Sequence, residues 1–154
     1  MSSRNNLLLI RQLDSKLQTI MPLQKVMIPK EGWINIIRKT LNMSLSQLGK
    51  RMNITPQSVR ALELREKEGT LSLKSLKEAA EALNMRLVYG FIPKEDSLEK
   101  MVERKAYEMA MEVVNRTSIT MKLEDQENSP TRIKQAISEM ADELKREMSK
   151  KLWD

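Results

Sequence analysis

Gln57, Arg60 and Ala61 carry side chains that can read the edges of base pairs. Glutamine can bond adenine through two hydrogen bonds, arginine can bond guanine likewise, and alanine can touch a thymine methyl. At about 100° per residue these three share one helical face with Leu64, while Val59 and Leu62 turn the other way, toward a core. The plainer alternative is an ordinary solvated face on a core helix, so the elements around the trio must decide.

Those elements read as two short helices joined by a tight turn. Ser44 is placed to cap the first, its hydroxyl accepting from an amide two or three residues on. Leu45, Leu48 and Met52 then fall at helical spacing, and Gly49 between them leaves room for a second helix to cross closely. Asn53 suits the left-handed conformation that ends a helix. Ile54 is a buried turn residue, Thr55 caps again, and Pro56 takes the first helical position, where its missing N–H costs nothing. Two capped amphipathic helices so closely joined spell a helix-turn-helix, which favours the base-reading interpretation of the second helix. The candidate phosphate contacts are Ser44, Gln47 and Ser58 at the helix starts and Arg65 and Lys67 in a charged loop, 65–69, which could equally be only solvated. Ser72, Lys74 and Ser75 join them at the start of the next helix, where free amides suit an anion.

Composition agrees with an acidic partner. The chain of 154 residues carries a net charge of +6 and a pI near 9.6, which favours nucleic acid. Lys30, Arg38, Lys39, Lys50, Arg51, Arg60 and Arg65 crowd the helix-turn-helix, opposed by Glu31 and Glu63. There is no cysteine and no histidine. That excludes disulfides, Cys/His zinc sites, thiol nucleophiles and His-based triads. No cofactor, metal or catalytic residue is expected, and the scattered glycines form no phosphate-cradling loop. The apolar run Leu7–Ile10 is too short to cross a membrane, so a cytoplasmic protein is expected.

Taken in order, the chain divides into an N-terminal helical arm with its linker (1–29), a helix-turn-helix domain (30–93) and a C-terminal helical extension (94–154). Ile10, Leu13, Leu17 and Ile20 give the arm one apolar side, which either packs on the core or a second subunit, or receives a partner. Gly32–Leu41 reads as the first domain helix, with Trp33, Ile36, Ile37 and Leu41 inward. Leu73, Leu76, Ala79, Ala80 and Leu83 stripe the helix after Ser72. Arg86–Ile92 reads as a short β-strand stopped by Pro93, to be paired either by Lys25–Ile28 or by the same strand of another subunit. A helix opens at Asp96 or Ser97 and runs to about Arg116, followed by an irregular or partly extended stretch, 117–128. Ser129 and Pro130 start a last helix whose apolar stripe runs from Ile133 to Leu152. It is either a dimerising helix or a tail that docks on a partner. The fold class is mainly α, a helix-turn-helix bundle with a short terminal strand and flanking helices.

Residues 44–63 resemble the phage-repressor, Cro/cI-like (xenobiotic-response-element) class of helix-turn-helix. The resemblance implies a structural ion pair between an arginine late in the first helix and a glutamate ending the recognition helix, here Arg38 and Glu63. The chain departs from the class in having Leu45 where a glutamine contacts phosphate, and Pro56 where a polar base reader is common. Over roughly residues 4–126 the chain also resembles the mobile mystery protein A family, on Gly32-Trp33-Ile34, Leu41–Ser44, Leu71–Leu76, Ala79–Leu83, Leu87–Tyr89 with Pro93, and Thr120–Gln126. That resemblance implies an autoregulating, antitoxin-like repressor of double-stranded DNA, paired with a Fic-domain AMP-transferase encoded beside it. The alternative it implies is an interaction module that neutralises the Fic partner, with DNA binding secondary. Thr120-Met-Lys-Leu-Glu124 matches a Fic-inhibitory pattern except that Asp125 replaces the final glycine or asparagine. Glu124 is therefore a candidate inhibitory residue, or else part of the connection. A homodimer is expected, its recognition helices about one DNA turn apart.

Overall fold

A computed structural model describes residues 3–123 and 129–154. The regular elements of the described residues are all helical: α1 (Ser3–Ile20), a short 3-10 turn (Met21–Lys25), α2 (Trp33–Thr40), α3 (Leu45–Met52), α4 (Pro56–Glu68), α5 (Leu73–Ala82), α6 (Leu98–Leu123), α7 (Pro130–Glu147) and a final 3-10 turn (Lys150–Trp153). It forms two compact units, residues 23–90 and residues 1–22 with 91–154.

The first unit is α2–α5. Its core joins Ile34, Leu48, Val59, Leu62, Ala79 and Leu83, with Ile37, Met43, Leu45, Ile54 and Leu76 packed around them. The phase of α2 differs from expectation: Ile34 and Arg38 are buried, whereas Trp33, Ile36 and Leu41 stay largely exposed. A short helix with apolar residues on more than one side does not declare which stripe is inward, and here the buried Arg38 sets it.

The expected strand at Arg86–Ile92 is not formed, and no strand occurs among the described residues. β-branched and aromatic residues report fitness for a pleated surface, and a strand needs a partner to become one. Lys25–Ile28 does not pair with this stretch. Instead Leu87 lies half-buried, and the Lys77 ammonium stands 5.9 Å from the centre of the Tyr89 ring, a cation–π contact.

In the second unit α6 and α7 lie side by side and α1 packs on both. Val102, Ala106 and Leu152 are its buried centre, with Ile10, Met109, Leu144 and Met148 against them. Helix α6 runs to Leu123, so residues 117–123 are helical rather than irregular; Glu124 lies outside the described residues. Helix α7 starts as expected, with the Ser129 hydroxyl accepting from the Arg132 amide and Pro130 in the first turn. It stops at Glu147, where Met148 adopts φ 48°, and Leu152 reaches the core from the following turn.

The start of α6 is fixed by α1. The Asp14 carboxylate accepts from the Leu98 and Glu99 amides at 2.7 and 3.1 Å, and the Ser97 hydroxyl accepts from Lys100. A carboxylate here satisfies orphan amides and opposes the positive helix end. Glu99 in turn pairs with Arg11 at 3.0 Å and with Lys145 of α7 at 3.1 Å, tying three helices together.

Asp14→Ala is expected to destabilise the chain by about 1–2 kcal/mol in urea unfolding; an unchanged midpoint would contradict this role. The hydrogen bond from Arg11, then that from Lys145, holds the Glu99 carboxyl below the ordinary glutamate range. Its contribution to stability is therefore full above that range and disappears as pH falls through the depressed value. Glu99→Gln should flatten the acid side of a stability–pH profile, and a profile parallel to the wild type would refute the linkage.

Candidate nucleic-acid interface

The interface is built from its helix starts and one turn. Ser44 and Gln47 form a reciprocal cap on α3: the Gln47 amide donates to the Ser44 hydroxyl at 3.0 Å, and the Ser44 amide to the Gln47 side-chain oxygen at 2.8 Å. Asn53 ends α3 in the left-handed region at φ 58°. The Ile54 amide turns back to the Gly49 carbonyl at 2.9 Å. A Cβ on Gly49 would stand 2.7 Å from the Ile54 carbonyl oxygen, so the turn can close this tightly only over glycine. Thr55 then caps α4, accepting from the Ser58 amide at 3.1 Å, and Pro56 opens it.

Helix α4 divides by face. Val59, Leu62 and Glu63 are buried, whereas Gln57, Ser58, Arg60, Ala61, Leu64 and Arg65 are exposed. The sequence trio Gln57, Arg60 and Ala61 is thus gathered on one open stripe. Because α4 continues to Glu68, Arg65 and Lys67 are helical, not in a loop, and Gly69 ends the helix at φ 77°.

The inner face is held by charge. Arg38 donates from Nε and Nη2 to the two oxygens of Glu63, the second contact at 3.3 Å, and both residues are less than 10% exposed, at 8% and 7%. Asn35 donates to Glu63 at 2.8 Å, and the remaining Arg38 arm donates to the Met43 carbonyl at 2.9 Å. The pairing implied by the phage-repressor resemblance is therefore present, and no buried side-chain nitrogen or oxygen among the described residues lacks a partner.

Glu66, one turn further along α4, has a role that no local sequence pattern announces. Its carboxylate accepts from the Trp33 and Ile34 amides at 3.0 and 2.8 Å and so caps α2, whose own N-cap, Gly32, has no side chain to do so. The missing Ser, Thr, Asp or Asn before Trp33 was the available signal that a carboxylate must come from elsewhere.

The phosphate candidates are more varied in their surroundings. Ser44, Gln47 and Ser58 are exposed at helix starts but already serve as caps or share hydrogen bonds within them. Ser72 accepts from the Ser75 amide at 3.1 Å to cap α5, and Lys74 is exposed beside it. Arg65 is exposed, whereas Lys67 is paired with Glu31 at 3.1 Å. Leu45, which stands where the class has a glutamine, is half-buried against the core.

A family model described as helix-turn-helix matches residues 34–89. The α2–α5 unit is thus a helix-turn-helix domain of the Cro/cI type, a DNA-binding class. No curated protein and no solved structure matches the chain. No helix among the described residues is long and apolar enough to cross a membrane.

Breaking the inner ion pair tests what holds α2 to α4. Arg38→Met leaves a buried carboxylate and should cost about 3–5 kcal/mol, while Arg38→Met with Glu63→Leu should recover most of it. Urea unfolding measures both, and a single variant within about 0.5 kcal/mol of wild type would contradict the pair's role.

Proposed function

We propose that this chain is a sequence-specific DNA-binding repressor that acts in the cytoplasm as a homodimer. The observation that carries the reading is the open stripe of Gln57, Arg60 and Ala61 on α4, opposite a face locked inward by Val59, Leu62 and Glu63. Binding strength comes mainly from cations on phosphates and is salt-dependent; specificity comes from the few base contacts. Gln57 and Arg60 read base edges and Ala61 lies against a thymine methyl. Ser44, Gln47, Ser58, Arg65, Lys67, Ser72, Lys74 and Ser75 position the duplex, Lys67 exchanging Glu31 for phosphate. Two copies bind an inverted repeat with their recognition helices ~34 Å apart.

A second reading adds a protein partner. The separate unit of α1, α6 and α7 leaves Leu8, Leu9 and Leu13 of α1 exposed, and an exposed apolar patch favours a protein contact. The resemblance to mobile mystery protein A supports a Fic-domain protein as that partner and an autoregulating antitoxin as the role, with neutralisation of AMP transfer as the alternative principal function. The proposed inhibitory Glu124 rests on the resemblance alone.

A mobility-shift titration on the DNA upstream of the coding sequence should show salt-sensitive binding to an inverted repeat. Arg60→Ala should cost on the order of 1–3 kcal/mol there while sparing unrelated DNA. Equal loss on all sequences would make Arg60 a phosphate contact, and affinity indifferent to sequence would remove the repressor. Co-expression tests the second reading: the neighbouring Fic protein should co-elute, and separate elution with unaltered AMP transfer would dismiss it.

A further inference from the structure

We propose that the helix-turn-helix unit holds a second binding site, a cavity that takes a compact aromatic carboxylate. The cavity has a volume of about 210 Å³. Trp33 and Ile37 of α2, Leu76 and Ala80 of α5, and Leu87 and Val88 of the segment after α5 supply its apolar walls. An apolar cavity of roughly 150 Å³ already accepts benzene, so this one has room for a single ring with a small substituent. A helix or a strand of a partner does not fit such a space.

The charged groups at the walls choose the kind of substituent. Glu66 and Arg86 both border the cavity. Both oxygens of Glu66 already receive the Trp33 and Ile34 amides, and its charge faces the positive end of α2. Arg86 is exposed and has no ion pair or hydrogen bond among the described residues. The cavity thus has an apolar interior, one carboxylate satisfied by its own fold, and one guanidinium open to pair bidentately with a ligand carboxylate.

The site lies apart from the open stripe of α4, but Glu66 connects them. It belongs to α4, lines the cavity and holds the start of α2. A ligand seated there binds the folded arrangement of α2, α4 and α5 together with Leu87 and Val88, and stabilises it by mass action.

The test needs no DNA, so it stands or falls separately from the repressor reading. The full chain is titrated with benzoate, followed by saturation-transfer NMR on the ligand and by the melting temperature of the protein. Saturable binding and a raised melting temperature are expected, with benzyl alcohol, the same ring without the charge, at least fivefold weaker. Ala80→Phe fills the cavity from α5 and should abolish binding. Arg86→Gln changes only an exposed side chain and should reduce benzoate to the level of benzyl alcohol, which keeps the test decisive if Ala80→Phe does not fold. No saturable benzoate binding to the wild type, equal binding of the two ligands, or benzoate affinity undiminished by Arg86→Gln would each overturn the proposal.

Discussion

The arrangement of the DNA-binding unit depends on one buried charge pair. Arg38 and Glu63 are withdrawn from water together, and that is tolerable only because Asn35 and the Met43 carbonyl take up the remaining donor and acceptor capacity. Such a pair contributes more to the uniqueness of a packing than to its net stability. It fixes the rotation of α4 about its own axis. With Glu63 pulled inward, geometry at about 100° per residue puts Gln57, Arg60 and Ala61 outward. Glu66 repeats the device one turn later with backbone amides in place of a guanidinium, so two carboxylates on one side of α4 secure α2.

The turn between α3 and α4 supplies the other constraint. Gly49 admits the Ile54 carbonyl, Asn53 takes the left-handed conformation, and Thr55 with Pro56 restarts the chain in helical geometry. Each residue answers a separate local demand, and all of them specify the same crossing. Agreement of this sort across local choices is what gives a small helical unit a single packed state. The open face of α4 is then a rigid presentation rather than one conformer among many.

This pattern explains what the sequence could and could not reveal. Caps and turn residues act within a few positions of themselves, so Ser44, Asn53, Thr55, Pro56, Ser72 and Ser129 were readable in place. Glu66 and Asp14 cap helices more than thirty residues away in the chain, and no local pattern contains such a partner. The same lack of range hides the inward side of α2, where Ile34 rather than Trp33 is buried. Residues 86–92 have the composition of a strand, but pairing is a property of two segments, and no second segment pairs with this one among the described residues. The charged stretch 65–69 reads as a loop because charge density marks solvent exposure, which the outer helical turn that 65–68 form has as well.

The proposed function requires α4 to present a fixed outer face to a duplex. Amide and side-chain chemical shifts of the full chain, followed by NMR during titration with duplex DNA from upstream of its coding sequence, test this requirement. The largest changes are expected at Gln57, Arg60 and Ala61, weaker ones at the starts of α3 and α5, and little at Val59 and Leu62. Changes concentrated in α1, α6 and α7, with α4 silent, would contradict it.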